Sequence, residues 1–369
     1  MALGFCPALL MHMKYVAGEN APETKVTPSG FLAALLEEGV QAQPVGDPFT
    51  LSNAAGHIKD LRLKYYTRTV PAQMQTSDSC DIDQIPAYDE ITIDSTDVVK
   101  FAIHLNDETI ARYCDEASRS VAVGGAPTPF MQEQLAVIMA AMNGFIGKID
   151  QTLLGDVVWG TNQVTGNNSA VTVNFNDDVT VNLVTEGWTK ILQDFAMNEG
   201  YGTPIVVGSG ISNAFRHQLL AGVTNMAQVN NNALYNLINY YHDIHAATSW
   251  GSNQFGVFQK GSMGLVQLDE YVGFRAGVKG TSTFFNAALP LALPGAGDIP
   301  RMMNIDFQFK YNDCPTEATV GYETETIGRG YTLIMKKNFA LWQIPSDAYQ
   351  AADRLTGNNG SLRYTATNS

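Results

Sequence analysis

The sequence predicts an α+β protein assembled from parts of different texture, and three observations carry that expectation. A long amphipathic helical stretch runs from Pro129 to Leu154. Before it lies an extended two-stranded excursion, and after Trp159 strands alternate with helices before the chain returns to strands near its C-terminus. Alternation of this kind belongs to α/β packing, whereas the return strands belong to an antiparallel sheet.

Composition narrows the functional classes. The chain has 369 residues, 45% of them hydrophobic, enough for two or three domains with real cores. Its formal charge of −14 disfavours attraction to nucleic acid or to an anionic membrane surface. Cys6, Cys80, Cys114 and Cys314 are far apart and form no C-x-x-C pair, as expected of ordinary thiols in a reducing compartment, with distant disulfides left open. The best apolar run, Leu135 to Gly147, has 13 residues and contains Asn143; a membrane-spanning helix needs about 20. The opening "MALGFCPALLMHMKYV" is apolar but lacks a basic n-region and a cleavage site, so no secretory leader is expected.

Residues 1–57 read as an extended arm with one short helix, "FLAALLEE", for which Ser29 is the local cap and Gly39 and Pro44 are breakers. Such an arm has no core of its own and is expected to dock on another surface. In "IKDLRLKYYTRTV", Leu61, Leu63 and Tyr65 alternate with Asp60, Arg62 and Lys64, the period of a half-exposed strand. Its polar positions are mostly basic: Lys59, Arg62, Lys64 and Arg68. The segment Asp78 to Asp97 then carries Asp78, Asp81, Asp83, Asp89, Glu90, Asp94 and Asp97 without a lysine or arginine, and ends in a second strand pattern, "ITIDSTDVVKFAIHL". A lone two-stranded ribbon is marginal in water, so this excursion is expected to lie on something.

A helix follows at about Asp107 to Ser118, capped by Asn106 or Asp107 with acidic residues in its first turn. After "GGAPTP", Thr128 is the expected cap and Pro129 the first residue of the long helix. Met131, Leu135, Ile138, Met142, Phe145, Ile149 and Leu153 make one apolar stripe. At 1.5 Å per residue that helix is roughly 39 Å long. Beyond it come an Asn- and Thr-rich stretch with one strand, a helix in "TEGWTKILQDFAMNEG", and the strand–turn–helix "TPIVVGSGISNAFRHQLLAG". "YTLIM", "KKN" and "FALWQI" read as a hairpin stopped by Pro345.

The glycine turn at 208–210 has the outline of a phosphate cradle and fails its chemistry. The third glycine of a dinucleotide fingerprint is replaced by Asn213, and the acidic position about 20 residues on falls among Gln228, Val229 and Asn230. No lysine supports a P-loop, and Val207 and Ile211 stand where a nucleophile elbow needs glycines. The turn reads as backbone geometry, with Ser209 or Ser212 as the helix cap. His242 and His245 have no zincin glutamate between them and no signalled third ligand, and on a strand their spacing points them to opposite faces. The acidic "DSCDID" lacks the spacing and glycine of a calcium loop, so a solvated or partner-paired acidic face is the plainer reading. No catalytic set, cofactor or metal is expected.

In their order, these parts resemble the tailed-bacteriophage major capsid protein, the Hong Kong 97 phage-type fold that encapsulins share. The C-terminal "GRGYTLIMKKNFALWQIPSDAYQAADRLTGNNGSLRY" has the same style. The resemblance implies an N-arm at 1–55, an E-loop β-hairpin at 56–100, a peripheral domain at 101–159 with the spine helix, an axial α/β domain at 160–295, and peripheral return strands with the C-terminus at 296–369. It implies a non-enzymatic, self-assembling subunit of hexamers and pentamers in an icosahedral virion shell. That shell would be built in the host cytoplasm around double-stranded DNA held without sequence-specific binding. Scaffold, portal and decoration proteins are its possible partners. Lys59, Arg62, Lys64, Arg68, Asp78, Asp81, Asp83, Asp89 and Glu90 are the expected subunit-interface residues. An encapsulin-like compartment, another virion component such as a tail protein, and a soluble α/β enzyme are the alternatives.

Overall fold

A computed structural model describes residues 29–38, 61–66, 88–93, 97–122, 128–175, 187–198, 200, 202–210, 238–271, 276–291, 301–312, 316–320, 323–327, 330–344 and 357–367. In chain order the described elements begin with helix α1 (Gly30–Glu38), strands β1 (Leu61–Tyr66), β2 (Tyr88–Ile93) and β3 (Asp97–Asn106), and helices α2 (Asp107–Ala122) and α3 (Pro129–Gly155). There follow β4 (Val171–Asn174), α4 (Gly187–Met197), β5 (Ile205–Gly208), β6 (Asn239–His242), α5 (Ala246–Ser249), β7 (Gln254–Phe258) and β8 (Met263–Leu268). The last are β9 (Gly277–Lys279), β10 (Ser282–Leu291), β11 (Arg301–Asn312), β12 (Thr316–Val320), β13 (Glu323–Ile327), β14 (Gly330–Gln343) and β15 (Ser361–Thr367).

The chain forms two compact units, each drawn from separated stretches of sequence. The first comprises 1–28, 97–149 and 267–339, and the second 29–96, 150–266 and 340–369. β9 and β10 fall in the first unit, and β15 falls in the second, because strand pairing groups residues without regard to their order in the chain.

In the first unit β3, β14, β11, β10 and β9 lie side by side in that order, each pair antiparallel. Alternate residues of β11 (Met303, Ile305, Phe307, Phe309) and of β14 (Leu333, Met335, Phe339) are buried, the period of a sheet with one covered face. Aromatic pairs brace neighbouring strands: Phe285 stacks on Phe307 at 5.1 Å, directly opposite in the register, and Phe309 on Tyr331 at 4.6 Å. The stripe expected on the long helix is buried throughout, from Met131 to Leu153, and Thr128 Oγ1 accepts from the Met131 N–H at 3.4 Å. Asn106 Oδ1 caps α2 by accepting from the Thr109 N–H at 2.7 Å.

The second unit holds a five-stranded mixed sheet in the order β4, β15, β7, β5, β6. β15 runs parallel to β4 and antiparallel to β7, while β5 runs antiparallel to β7 and parallel to β6. One sheet face packs Val173, Val206, Phe255, Val257, Leu362 and Tyr364 with Trp188, Ile191 and Phe195 of α4. On the other lies α1, whose Phe31 ring meets Phe258 at 5.7 Å and Trp250 at 6.0 Å. The sheet is thus covered on both sides, which explains its near-continuous apolar strands. The chain enters β15 through a polar lattice. Asn198 Nδ2 donates to Asn162 Oδ1 at 3.1 Å, Asn358 Nδ2 to the Asn198 carbonyl at 2.8 Å, and Asn359 Nδ2 to the Val158 carbonyl at 2.8 Å. Gly357 and Gly360 flank the two asparagines at φ 92° and 77°, a backbone that side chains with a Cβ rarely adopt.

Two strand expectations are corrected. "ITIDSTDVVKFAIHL" is not one strand: β2 ends at Ile93 and pairs with β1, whereas β3 starts at Asp97 and pairs with β14. "KKN" is not a turn, because β14 runs unbroken through it. The lysines are stabilised in the strand by acids from elsewhere in the same unit. Lys336 pairs with Glu270, and the wholly buried Lys337 places Nζ 2.9 Å from Asp269 Oδ1. Burial pushes the Lys337 ammonium down in pKa, and the charges of Asp269 and Asp306 oppose that shift. Asn304 Nδ2 donates to the second Asp269 oxygen at 3.0 Å, so the acid is held in place.

Removing one partner of a buried ion pair costs more than replacing the whole pair by apolar residues of similar volume. Asp269→Ala is therefore expected to destabilise the protein by about 3 kcal/mol, the low end for such breaks because the Asp269 side chain keeps 24% of its exposure. Lys337→Met combined with Asp269→Leu, which replaces the whole pair by apolar side chains, should stay within about 1 kcal/mol of the parent. Urea unfolding of the two variants checks the contrast.

Candidate functional site

The candidate site is the two-stranded ribbon of β1 and β2. Its register sets Leu61 opposite Ile93, Leu63 opposite Ile91 and Tyr65 opposite Asp89. The alternate positions pair Arg62 with Thr92, Lys64 with Glu90 and Tyr66 with Tyr88. By the two-residue period these sets fall on opposite faces, one largely apolar and one polar. Among the described residues no third strand joins the ribbon. The register therefore places Arg62, Lys64 and Glu90 in one set and Asp89 in the other, and brings one acid, Glu90, directly across from a base. Lys59, Arg68, Asp78, Asp81 and Asp83 lie outside the described residues. A second free-standing ribbon, β12 with β13, sets Ala318 opposite Glu325 and Val320 opposite Glu323.

The glycine turn is structural where it is described. Ser209 is buried, and its Oγ donates to the Ser252 carbonyl at 2.8 Å, which ties the end of β5 to the entry of β7. Residues 211–237, and with them Ser212 and Asn213, lie outside the described residues. His242 is the exposed last residue of β6, and His245 precedes α5. Among the described residues no group of three His, Cys, Asp or Glu side chains is placed to hold a metal ion.

What the histidine motif does contain is the residue between them. Asp243 is wholly buried and accepts the Phe31 N–H on Oδ2 at 2.7 Å and the His245 N–H on Oδ1 at 2.7 Å. Asp150, equally buried, accepts the Leu32 N–H on Oδ1 at 2.8 Å. Two acids distant in sequence thus take the first N–H groups of α1, the role that local reading gave to Ser29. The helix end is pressed close: a Cβ on Gly30 would lie 2.3 Å from the His242 carbonyl oxygen. At the other end the Tyr241 hydroxyl donates to Glu37 Oε2 at 2.7 Å, and Lys260 Nζ lies 2.5 Å from Glu38 Oε2. The arm helix expected to dock does so on a sheet of its own chain. Burial, then the charge of Asp243, pushes the Asp150 carboxyl well above the usual carboxylate range. The sequence signal for Asp150 was its place among Ile149, Leu153 and Leu154 on the buried side of the long helix.

Comparison with solved structures finds chains of similar extent and remote sequence. A chain from Mycobacterium phage Adephagia is 12% identical, with a TM-score of 0.49, over 93% of this chain and 91% of that one. The capsid of Ralstonia phage GP4 matches at 11% identity and a TM-score of 0.42, over 95% of this chain and 94% of that one. The capsid structure of the cyanophage P-SCSP1u matches at 10% identity and a TM-score of 0.41, over 93% and 90%. No protein-family model and no curated protein matches the sequence.

Opposite charges across a ribbon contribute roughly 0.2–1 kcal/mol, and like charges oppose pairing by a similar amount. Lys64→Glu should weaken the ribbon against Glu90, and Glu90→Lys added to it should restore the loss. A double-mutant cycle read by hydrogen exchange of the β1 amides measures that coupling; additive single effects would show that the pair does not interact.

Proposed function

We propose that this chain is the major capsid protein of a tailed bacteriophage, a subunit that assembles into an icosahedral shell around double-stranded DNA. The observation that carries the reading is the amphipathic β1–β2 ribbon, which has an apolar face and no third strand among the described residues. Two strands do not bury such a face by themselves. A second copy of the chain supplies a cover at every repeat of a closed shell. The order of elements agrees with this use: a short arm helix, a ribbon, a 27-residue helix, then two α/β-type units threaded by return strands. On this reading β1 and β2 form the E-loop. The first unit contains the peripheral domain, and residues 150–266 with β15 form the axial domain.

The subunit contacts take the place of an active site, and the chain performs no catalysis. Hexamers and pentamers form in the host cytoplasm, with scaffold, portal and decoration proteins as further partners. The −14 charge suits a container whose wall must not adhere to its DNA. Arg62, Lys64 and Glu90 lie on the polar side of the ribbon, where complementary charge sets register and encounter rate between subunits.

Electron microscopy of the expressed protein, alone or with its scaffold, should show closed shells tens of nanometres across. A monodisperse monomer or dimer under every assembly condition, scaffold included, would overturn the proposal. Reversing Arg62 and Lys64 to Glu should impair assembly while circular dichroism and melting of the subunit hardly change, since exposed ion pairs contribute only about 0–1 kcal/mol each.

A further inference from the structure

We propose that Asp150 and Asp243 share one proton and form a latch at the start of α1, whose hold on the helix weakens as the pH rises toward the loss of that proton. The geometry begins with an orphan. Asp150 Oδ2 is buried and accepts from no N–H or hydroxyl donor, although the Asp150 and Asp243 carboxyls lie within hydrogen-bonding reach of each other. Two carboxylate oxygens facing each other without a proton repel. With a proton on Asp150 Oδ2, the same approach is a hydrogen bond donated to Asp243. The division of labour is fixed by the other contacts. Asp243 uses both oxygens to accept N–H groups, whereas Asp150 has only Oδ1 so engaged among backbone donors, which leaves Asp150 Oδ2 as the place for the proton.

Among the described residues no lysine or arginine pairs with either acid. On α1 the nearest ionisable groups are Glu37 and Glu38, at the far end of the helix and held by Tyr241, Asn239 and Lys260. The β6–α5 connection contributes His242, exposed, and His245, half-buried. α5 has no charged residue. On α3, Lys148 is exposed. Arg363, on β15, is committed to Gln254 and the Trp250 carbonyl. Ser29 supplies one hydroxyl within reach of Asp150. The positive end of α1 stabilises about one negative charge, not two. Asp150 is accordingly the group whose proton is lost last, its carboxyl being raised by burial first and by Asp243 second. A carboxyl raised in the folded state contributes stability that is fully present below its unfolded pKa and is lost as the pH rises through the folded one.

The test uses the purified full-length chain and the hydrogen exchange of α1 amides, corrected for intrinsic rates, across the pH range in which the chain stays folded. Opening of α1 should rise by up to about tenfold per pH unit while the seated helix keeps the shared proton and the opened form has lost it, and level off once the seated helix loses it too. Asp150→Asn keeps an acceptor for Leu32 and gives Asp243 a permanent donor, so α1 should stay seated with no such pH dependence. Asp243→Asn leaves one of the Phe31 and His245 N–H groups without an acceptor and should loosen α1 at every pH. Infrared spectroscopy of the unmodified protein provides an independent reading. A carboxylic-acid carbonyl band should be present while the seated latch keeps its proton and vanish at the pH where α1 opening levels off. The latch is refuted if Asp150→Asn follows the parent's pH profile, or if the parent shows no such band.

Discussion

The second unit depends on a strand that satisfies two neighbours at once. β15 offers one edge to β4 and the other to β7, and its Leu362, Tyr364 and Ala366 reach the core shared with α4. Without it β4 would have no ladder partner, and β7 would expose its backbone inside a covered sheet. Buried N–H and C=O groups without partners are costly, so the polar lattice of Asn162, Asn198, Asn358 and Asn359 has a structural purpose. It fixes where the chain turns into β15, and therefore which residues face the aromatic cluster.

The protein also deals with buried charge in two ways. In the first unit an ammonium meets a carboxylate: Lys337 is paired with Asp269, and the buried Asp306 accepts the Glu270 and Tyr271 N–H groups and the Asn286 amide. In the second unit two acids meet at a helix end with no base beside them, and backbone N–H groups replace the counterion. Both arrangements bind elements that are far apart in sequence. Both also place an ionisable group where an apolar residue of similar size would pack, which ties the conformation of the site to proton occupancy or to its partner.

Much of this was legible because it is local. The α3 stripe follows from one helical period, and the caps at Asn106 and Thr128 act on residues three positions away. The alternation of Leu61, Leu63 and Tyr65 against Arg62 and Lys64 likewise gives the ribbon its faces. The misread parts depend on partners that local pattern does not reveal. "KKN" has the composition of a turn, and only Asp269 and Glu270 make it a strand. Ser29 is the obvious cap for α1, yet the caps come from Asp150 and Asp243, 118 and 212 residues from the N–H groups they accept. The histidines of "HDIH" drew notice for metal chemistry, while the acid between them holds the helix.

The division of the chain has a consequence for its synthesis. Each unit is drawn from three stretches of sequence, and the second needs residues 29–96, 150–266 and 340–369 together. A ribosome delivers these in order, so the sheet that receives α1 lacks the strand between β4 and β7 until 361–367 has emerged. Long-range pairings of this kind close slowly, because the entropy of a large loop is lost before its contacts form. A nascent chain therefore holds the second unit incomplete until that strand has been made.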